Sequence, residues 1–120
     1  MKRNFTINFY ETPDGKCPVE DFIKAQPVKM RAKIARMLDL LEEKGNFLRM
    51  PYSEHLDDGI FQIRSQVGND ITRILYFFVI GREIILTNGF VKKTPETPPG
   101  EIELAKQYRA DFFKRMEEQR

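Results

Sequence analysis

Apolar and polar side chains alternate at the start of the chain. Phe5, Ile7 and Phe9 are separated by Thr6, Asn8 and Tyr10, the two-residue period of a half-buried strand over 4–10. Thr12-Pro13-Asp14-Gly15 is turn chemistry that ends it. Pro18 followed by Glu20 and Asp21 marks a helix start, because proline fits the first turn and acids favour the positive end of the helix dipole; Pro27 closes this helix. The period becomes helical from Val28 to Lys44, where Met30, Ile34, Met37, Leu38 and Leu41 share a face, and Gly45-Asn46 supplies the stop. A segment containing Pro51 and His55 reads as loop. Ile60–Arg64, Thr72–Ile80 and a third run from Glu83 to near Phe90 have strand character, joined by turns at Gly68-Asn69-Asp70 and Gly81-Arg82 as an antiparallel meander. Beyond the polar, proline-rich stretch 92–100, Ile102, Ala105, Tyr108 and Phe112 recur at helical intervals. The order β-α-α-β-β-β-α predicts one α+β domain over 1–120, with two N-terminal helices and a C-terminal helix packed over a mostly antiparallel four-stranded sheet.

Composition supports a packed core: 41% of the 120 residues are hydrophobic and 32% charged, so disorder is not the expectation. Cys17 is the only cysteine and has no intramolecular partner, and no apolar run approaches the ~20 residues of a membrane helix. The N-terminal alternation differs from the uninterrupted apolar segment of a leader peptide, so a cytoplasmic location is expected. The net charge of +2 is too small to make nucleic-acid binding a property of the whole surface, and any such site must be local.

Standard catalytic signatures are absent. One histidine cannot build an HExxH site, one cysteine gives no zinc cluster, and there is no glycine-rich phosphate loop, so neither metal nor cofactor is expected. Asp57, Asp58 and Asp70 leave a carboxylate-only magnesium site open, although adjacent acids in loops are usually solvated. Lys29, Lys33 and Arg36 form a basic stripe on the long helix, for which a solvated face is the favoured reading. Around the sheet, Arg64, Arg73, Arg82, Lys92 and Lys93 outnumber Asp70, Glu83 and Glu96. Arg64 and Arg73 fall on two strands joined by a hairpin and can project from neighbouring positions of one face, an arrangement suited to a phosphodiester.

The run His55-Leu56-Asp57-Asp58-Gly59-Ile60-Phe61-Gln62-Ile63-Arg64, then Arg73-Ile74-Leu75-Tyr76, then Gly89-Phe90-Val91-Lys92-Lys93-Thr94-Pro95, resembles the signature of the phage-derived Gp49-like group of HigB toxins, within the RelE-like toxins. The likeness extends to the first strand, the Cys17-Pro18-Val19-Glu20-Asp21-Phe22 helix start and the last helix. It departs at Gln62 and Asn88, where the group commonly has Glu and His, which leaves an acid or base role at either position open. The resemblance implies a RelE-like fold and the toxin of a type II toxin–antitoxin pair. Its activity would be that of a metal-independent endoribonuclease (mRNA interferase) cutting messenger RNA on the ribosome, with the 2′-hydroxyl attacking the adjacent phosphate. It implies as partners mRNA, the ribosome and a cognate helix-turn-helix antitoxin, with homo- or hetero-oligomer formation left open.

That chemistry needs a proton acceptor, cations for the phosphorane-like charge and a donor to the leaving oxygen. Arg73 is the leading candidate for charge stabilisation and Arg64 the second, because guanidinium binds phosphate oxygens bidentately. Lys93 is the preferred acid/base, with Lys92 beside it; plain phosphate attraction is the alternative for both. Tyr76 and Phe90 are candidates for RNA contact against a competing role in the core. His55 is a candidate base against a capping role, and Gln62 a candidate RNA contact. Two other classes remain open: a non-catalytic RNA- or ribosome-binding module of this fold, and a phage-derived protein-interaction module.

Overall fold

The computed structural model describes residues 4–119. Met1, Lys2 and Arg3, which head the segment read above as lacking a leader peptide, lie outside the described residues. The elements run β1 (Thr6–Phe9), α1 (Pro18–Lys24), α2 (Val28–Lys44), a 3-10 turn (Gly45–Phe47), β2 (Ser53–Asp57), β3 (Ile60–Val67), β4 (Asp70–Val79), β5 (Glu83–Val91) and α3 (Pro99–Glu118). The five strands form one sheet in the order β1-β5-β4-β3-β2, with β1 parallel to β5 and every other pairing antiparallel. The class is the expected α+β with three helices, but the sheet has five strands where four were expected. The segment read as a loop around His55 is β2, an edge strand.

Local chemistry accounts for the element ends. Asp58 (φ 49°) and Gly59 (φ 77°) are both left-handed and close the β2–β3 hairpin, the conformation that an Asp-Gly pair tolerates well. α2 stops at Gly45 (φ 53°), whose amide bonds Leu41 O. A side chain on Gly45 would strike the ring of Phe5.

The sheet is covered on both sides. Val19 of α1 and Met30, Ile34, Met37 and Leu41 of α2 pack against Ile63, Ile74, Tyr76, Ile84 and Leu86. On the other face Ala105, Ile102, Tyr108 and Phe112 of α3 pack against Ile60, Leu75, Phe77 and Ile85. Double coverage explains why β4 and β5 read as continuous apolar runs rather than alternating ones: both faces of the central strands are dry. Phe22 of α1 lies so close to Gly89 that a Cβ there would come within 2.6 Å of the ring.

Two irregularities shift the register. One lies between His55 and Asp57, so that Asp57 pairs with Ile60 but His55 with Phe61 and Glu54 with Gln62. The other lies in β5, where Leu75 pairs with Asn88 but Tyr76 with Leu86. The extra residue, Thr87, is buried and its hydroxyl donates to Leu75 O at 3.2 Å. α3 is tied to the sheet by polar contacts. Lys106 Nζ is 2.6 Å from Asp57 Oδ2, Arg109 Nη2 is 2.9 Å from Asp58 Oδ2, and Tyr10 Oη donates to Asp111 Oδ2 at 2.6 Å. These pairs occupy two of the three aspartates considered for magnesium. Among the described residues no group of three or more His, Cys, Asp or Glu side chains is gathered as a metal site requires, and no helix is long and apolar enough to cross a membrane.

Candidate functional site

Arg64 of β3 and Arg73 of β4 are direct cross-strand partners, and directly opposed residues of an antiparallel pair share a face. Two residues back along β3, Gln62 lies on that same face, and its partner across β2 is Glu54. Two guanidinium groups, an amide and a carboxylate thus line one patch of sheet beyond the end of the α3 core. Together with Met50, Pro51, Tyr52 and Ser53 they enclose a cleft of about 230 Å³.

The two arginines are held differently. Arg73 is 8% exposed. Its Nη1 donates to Pro95 O and Thr97 Oγ1, each at a long 3.4 Å, and its buried Nε has no hydrogen-bond partner among the described residues. An orphaned buried donor costs about 1–3 kcal/mol, so the fold retains hydrogen-bonding capacity here at some expense. Burial pushes the guanidinium below its ordinary pKa; the Glu54 carboxylate opposes that shift and the Arg64 charge adds to it. Arginine nevertheless keeps its charge at any working pH. Arg64 is half-buried and Nη2 donates to Gln66 Oε1 at 2.5 Å. Among the described residues neither guanidinium forms an ion pair, so two like charges share a cleft without a carboxylate within 4 Å of either.

A hydrogen-bonded chain crosses the floor. Thr97 Oγ1 donates to Gln62 Oε1 at 2.5 Å, and Gln62 Nε2 donates to Glu54 Oε1 at 3.1 Å. The loop 92–98 that follows β5 thereby reaches both Arg73 and Gln62. Glu54 and Thr97 were not singled out from the sequence. The Asp58-Gly59 pair was the available signal for the strand that carries Glu54.

The other candidates are distributed elsewhere. Phe90 is the β5 partner of Arg73, but it is half-buried and packs with the α3 core. Lys92 continues the ladder by one bond, its amide donating to Ile71 O at 2.8 Å, so alternation keeps it on the Arg73 side; Lys93 is exposed. Neither lysine lines the cleft. Tyr76 is on the opposite face, fully buried among the α2 core residues, with its hydroxyl 2.5 Å from Ser53 Oγ. Burial pushes its phenol up to about 12. RNA cannot reach it without unfolding, and the expectation of an RNA contact there is withdrawn. His55 follows Phe61, its partner, onto that same opposite face, and Nε2 accepts the amide of Gly59 at 3.1 Å. It ties the hairpin turn and is separated from the arginines by the sheet. Asn88 is buried, and its Nδ2 donates to Glu101 Oε1 at 2.9 Å and to Glu101 O at 3.2 Å, anchoring the start of α3. The basic stripe of α2 belongs to the helix layer on the far side of the sheet from the cleft.

The family model described as phage derived protein Gp49-like matches residues 21–110, more than half of the chain and all of β2–β5. The chain belongs to the Gp49-like family. This family is phage-derived and toxin-like. No curated protein matches the chain. The matched span holds every residue of the cleft and also the loop 92–98, so the family assignment and the arginine patch fall on the same stretch of chain.

Proposed function

We propose that this Gp49-like chain is the toxin of a type II toxin–antitoxin pair and acts as a metal-independent endoribonuclease on messenger RNA engaged by the ribosome. The observation that supports this reading most directly is the pairing of Arg64 with Arg73 at one register position, on one face, with no ion pair to either among the described residues. Two adjacent guanidinium groups match the geometry and charge of a phosphodiester and stabilise added negative charge as the phosphorus becomes five-coordinate. In this scheme Arg73, the more buried of the two, binds the scissile phosphate and Arg64 the same or the next one. Lys92 and Lys93, outside the cleft, draw the RNA backbone towards it. A helix-turn-helix antitoxin is the partner this reading requires, and the cytoplasm its setting.

Induction of the chain in a bacterial host tests the reading. Growth should stop, and translated messages should acquire discrete internal ends; Arg73→Ala should abolish both while melting as the parent does. Arrest without any cut message would favour the non-catalytic ribosome-binding alternative. That alternative draws support from the cleft itself, which contains no histidine and which neither lysine lines.

A further inference from the structure

A cleft that only binds RNA needs cations, whereas one that cleaves RNA by 2′-hydroxyl attack needs a proton acceptor within reach of the phosphate. Arg64 and Arg73 cannot accept a proton, the Gln62 amide is a very weak base, and the hydroxyls of Ser53 and Tyr52 accept protons poorly beside a carboxylate. Glu54 is the sole carboxylate among the residues lining the cleft. We infer that the Glu54 carboxylate takes the proton from the attacking 2′-hydroxyl, an inference that rests on the nuclease reading above.

The placement of Glu54 argues for this role over a merely solvated acid. It shares a face with both arginines only because the strand irregularity between His55 and Asp57 moves it opposite Gln62. Its Oε1 accepts the Gln62 amide at 3.1 Å, and Gln62 is pinned in turn by the Thr97 hydroxyl, so one oxygen is oriented from the protein side. No hydrogen bond from the described residues occupies Oε2. The side chain is exposed to the cleft and forms no ion pair among the described residues, so a ribose hydroxyl can reach it. The charged groups facing it are Arg64 from β3 and Arg73 from β4; the loop 92–98 contributes the neutral Thr97.

The step balances without any redox change. The O2′–P bond forms as the P–O5′ bond breaks, the 2′ proton passes to Glu54, and the 5′ oxygen takes a proton from water. Glu54 then returns its proton to solvent, leaving a 2′,3′-cyclic phosphate and a 5′-hydroxyl end.

The test uses the full chain and one end-labelled messenger in a reconstituted translation mixture, with initial rates over messenger concentration. Glu54→Gln keeps an Oε1 acceptor for Gln62, so folding and RNA contact should survive while kcat falls on the order of 10²-fold or more with KM unchanged. Glu54→Asp should recover part of kcat. Arg73→Ala, in contrast, should lose cleavage altogether. A wild-type kcat in Glu54→Gln would overturn the assignment and leave the nuclease reading standing. An intact messenger with the wild-type chain would remove both.

Discussion

Replacing Tyr76 by phenylalanine separates the core role that the structure gives this residue from the RNA contact that its sequence position suggested. The side chain is fully buried and its hydroxyl meets Ser53 Oγ at 2.5 Å, with Ser53 itself 6% exposed. Removing the phenolic oxygen leaves the serine hydroxyl buried without a partner, for which the expected loss is about 1–3 kcal/mol. In a chain of 120 residues this should lower Tm by roughly 4–12 °C. The loss should shrink in alkali. Burial raises the phenol from 10.0 to about 12, so the unfolded chain ionises Tyr76 before the folded one does. The neutral form's advantage is complete below pH 10 and disappears as pH rises towards 12. By pH 11 the wild type should have given up about 1.3 kcal/mol that the variant, lacking the phenol, retains. Urea titrations of both proteins at pH 7 and pH 11 measure the closing gap, and Ser53→Ala with Tyr76→Phe should recover much of the pH 7 deficit, since no hydroxyl is then stranded. Toxicity on induction should be unchanged where the variant is folded. A variant as stable as its parent at pH 7 yet unable to arrest growth would refute the argument and restore Tyr76 to the RNA site.

Other perturbations address the remaining elements. Arg73→Lys should fold but cleave poorly, because a single ammonium cannot replace a fork of donors at a phosphate; activity within twofold of wild type in the messenger assay would contradict the bidentate role. Lys93→Ala should weaken association and reduce its salt dependence with little effect on kcat, since the side chain does not line the cleft; RNA-binding titrations across ionic strength decide this. Gly89→Ala should cost about 1–3 kcal/mol, because the new methyl meets the Phe22 ring at 2.6 Å and α1 must move away; an unchanged denaturation midpoint would show that α1 yields freely. The hydrogen bond from Tyr10 holds the Asp111 carboxyl below its ordinary range, and that from Lys106 does the same for Asp57. Their contribution to docking α3 is present above the unfolded carboxylate pKa and is lost as pH falls through the depressed folded value. Protection factors of the α3 amides, referred to the intrinsic exchange rate at each pH, should therefore fall on acidification, and Asp111→Asn should flatten that response.

Much of the framework was legible in the order of residues. The helical period from Val28 to Lys44, the Gly45 stop, the Pro18 start and the three-stranded meander all depend on local sterics, capping and side-chain period, which a short window contains. The face shared by Arg64 and Arg73 also followed, because a hairpin closing on Gly68-Asn69 sets the register between its own two strands. β2 was not legible as a strand: Ser53-Glu54-His55-Leu56-Asp57 is mostly polar, as suits an exposed edge, and lacks the alternation that betrays a half-buried strand.

Tertiary structure decided the composition of the cleft. A regular two-residue hairpin at Asp58-Gly59 would place Glu54 opposite Ile63 and turn it towards the α2 core. The one-residue irregularity between His55 and Asp57 turns it instead to the arginine face and sends His55 to the other side. A two-residue period makes every such slip a change of face, and nothing local announces it. The face that Tyr76 occupies was not legible for a related reason. Both faces of β4 are covered by helices far away in sequence, α2 on one and α3 on the other, and which of two buried faces a residue occupies is settled by long-range packing. Sequence alone determined the helices, the other four strands and the arginine pair; the strand register and the two helix layers determined which carboxylate stands beside that pair.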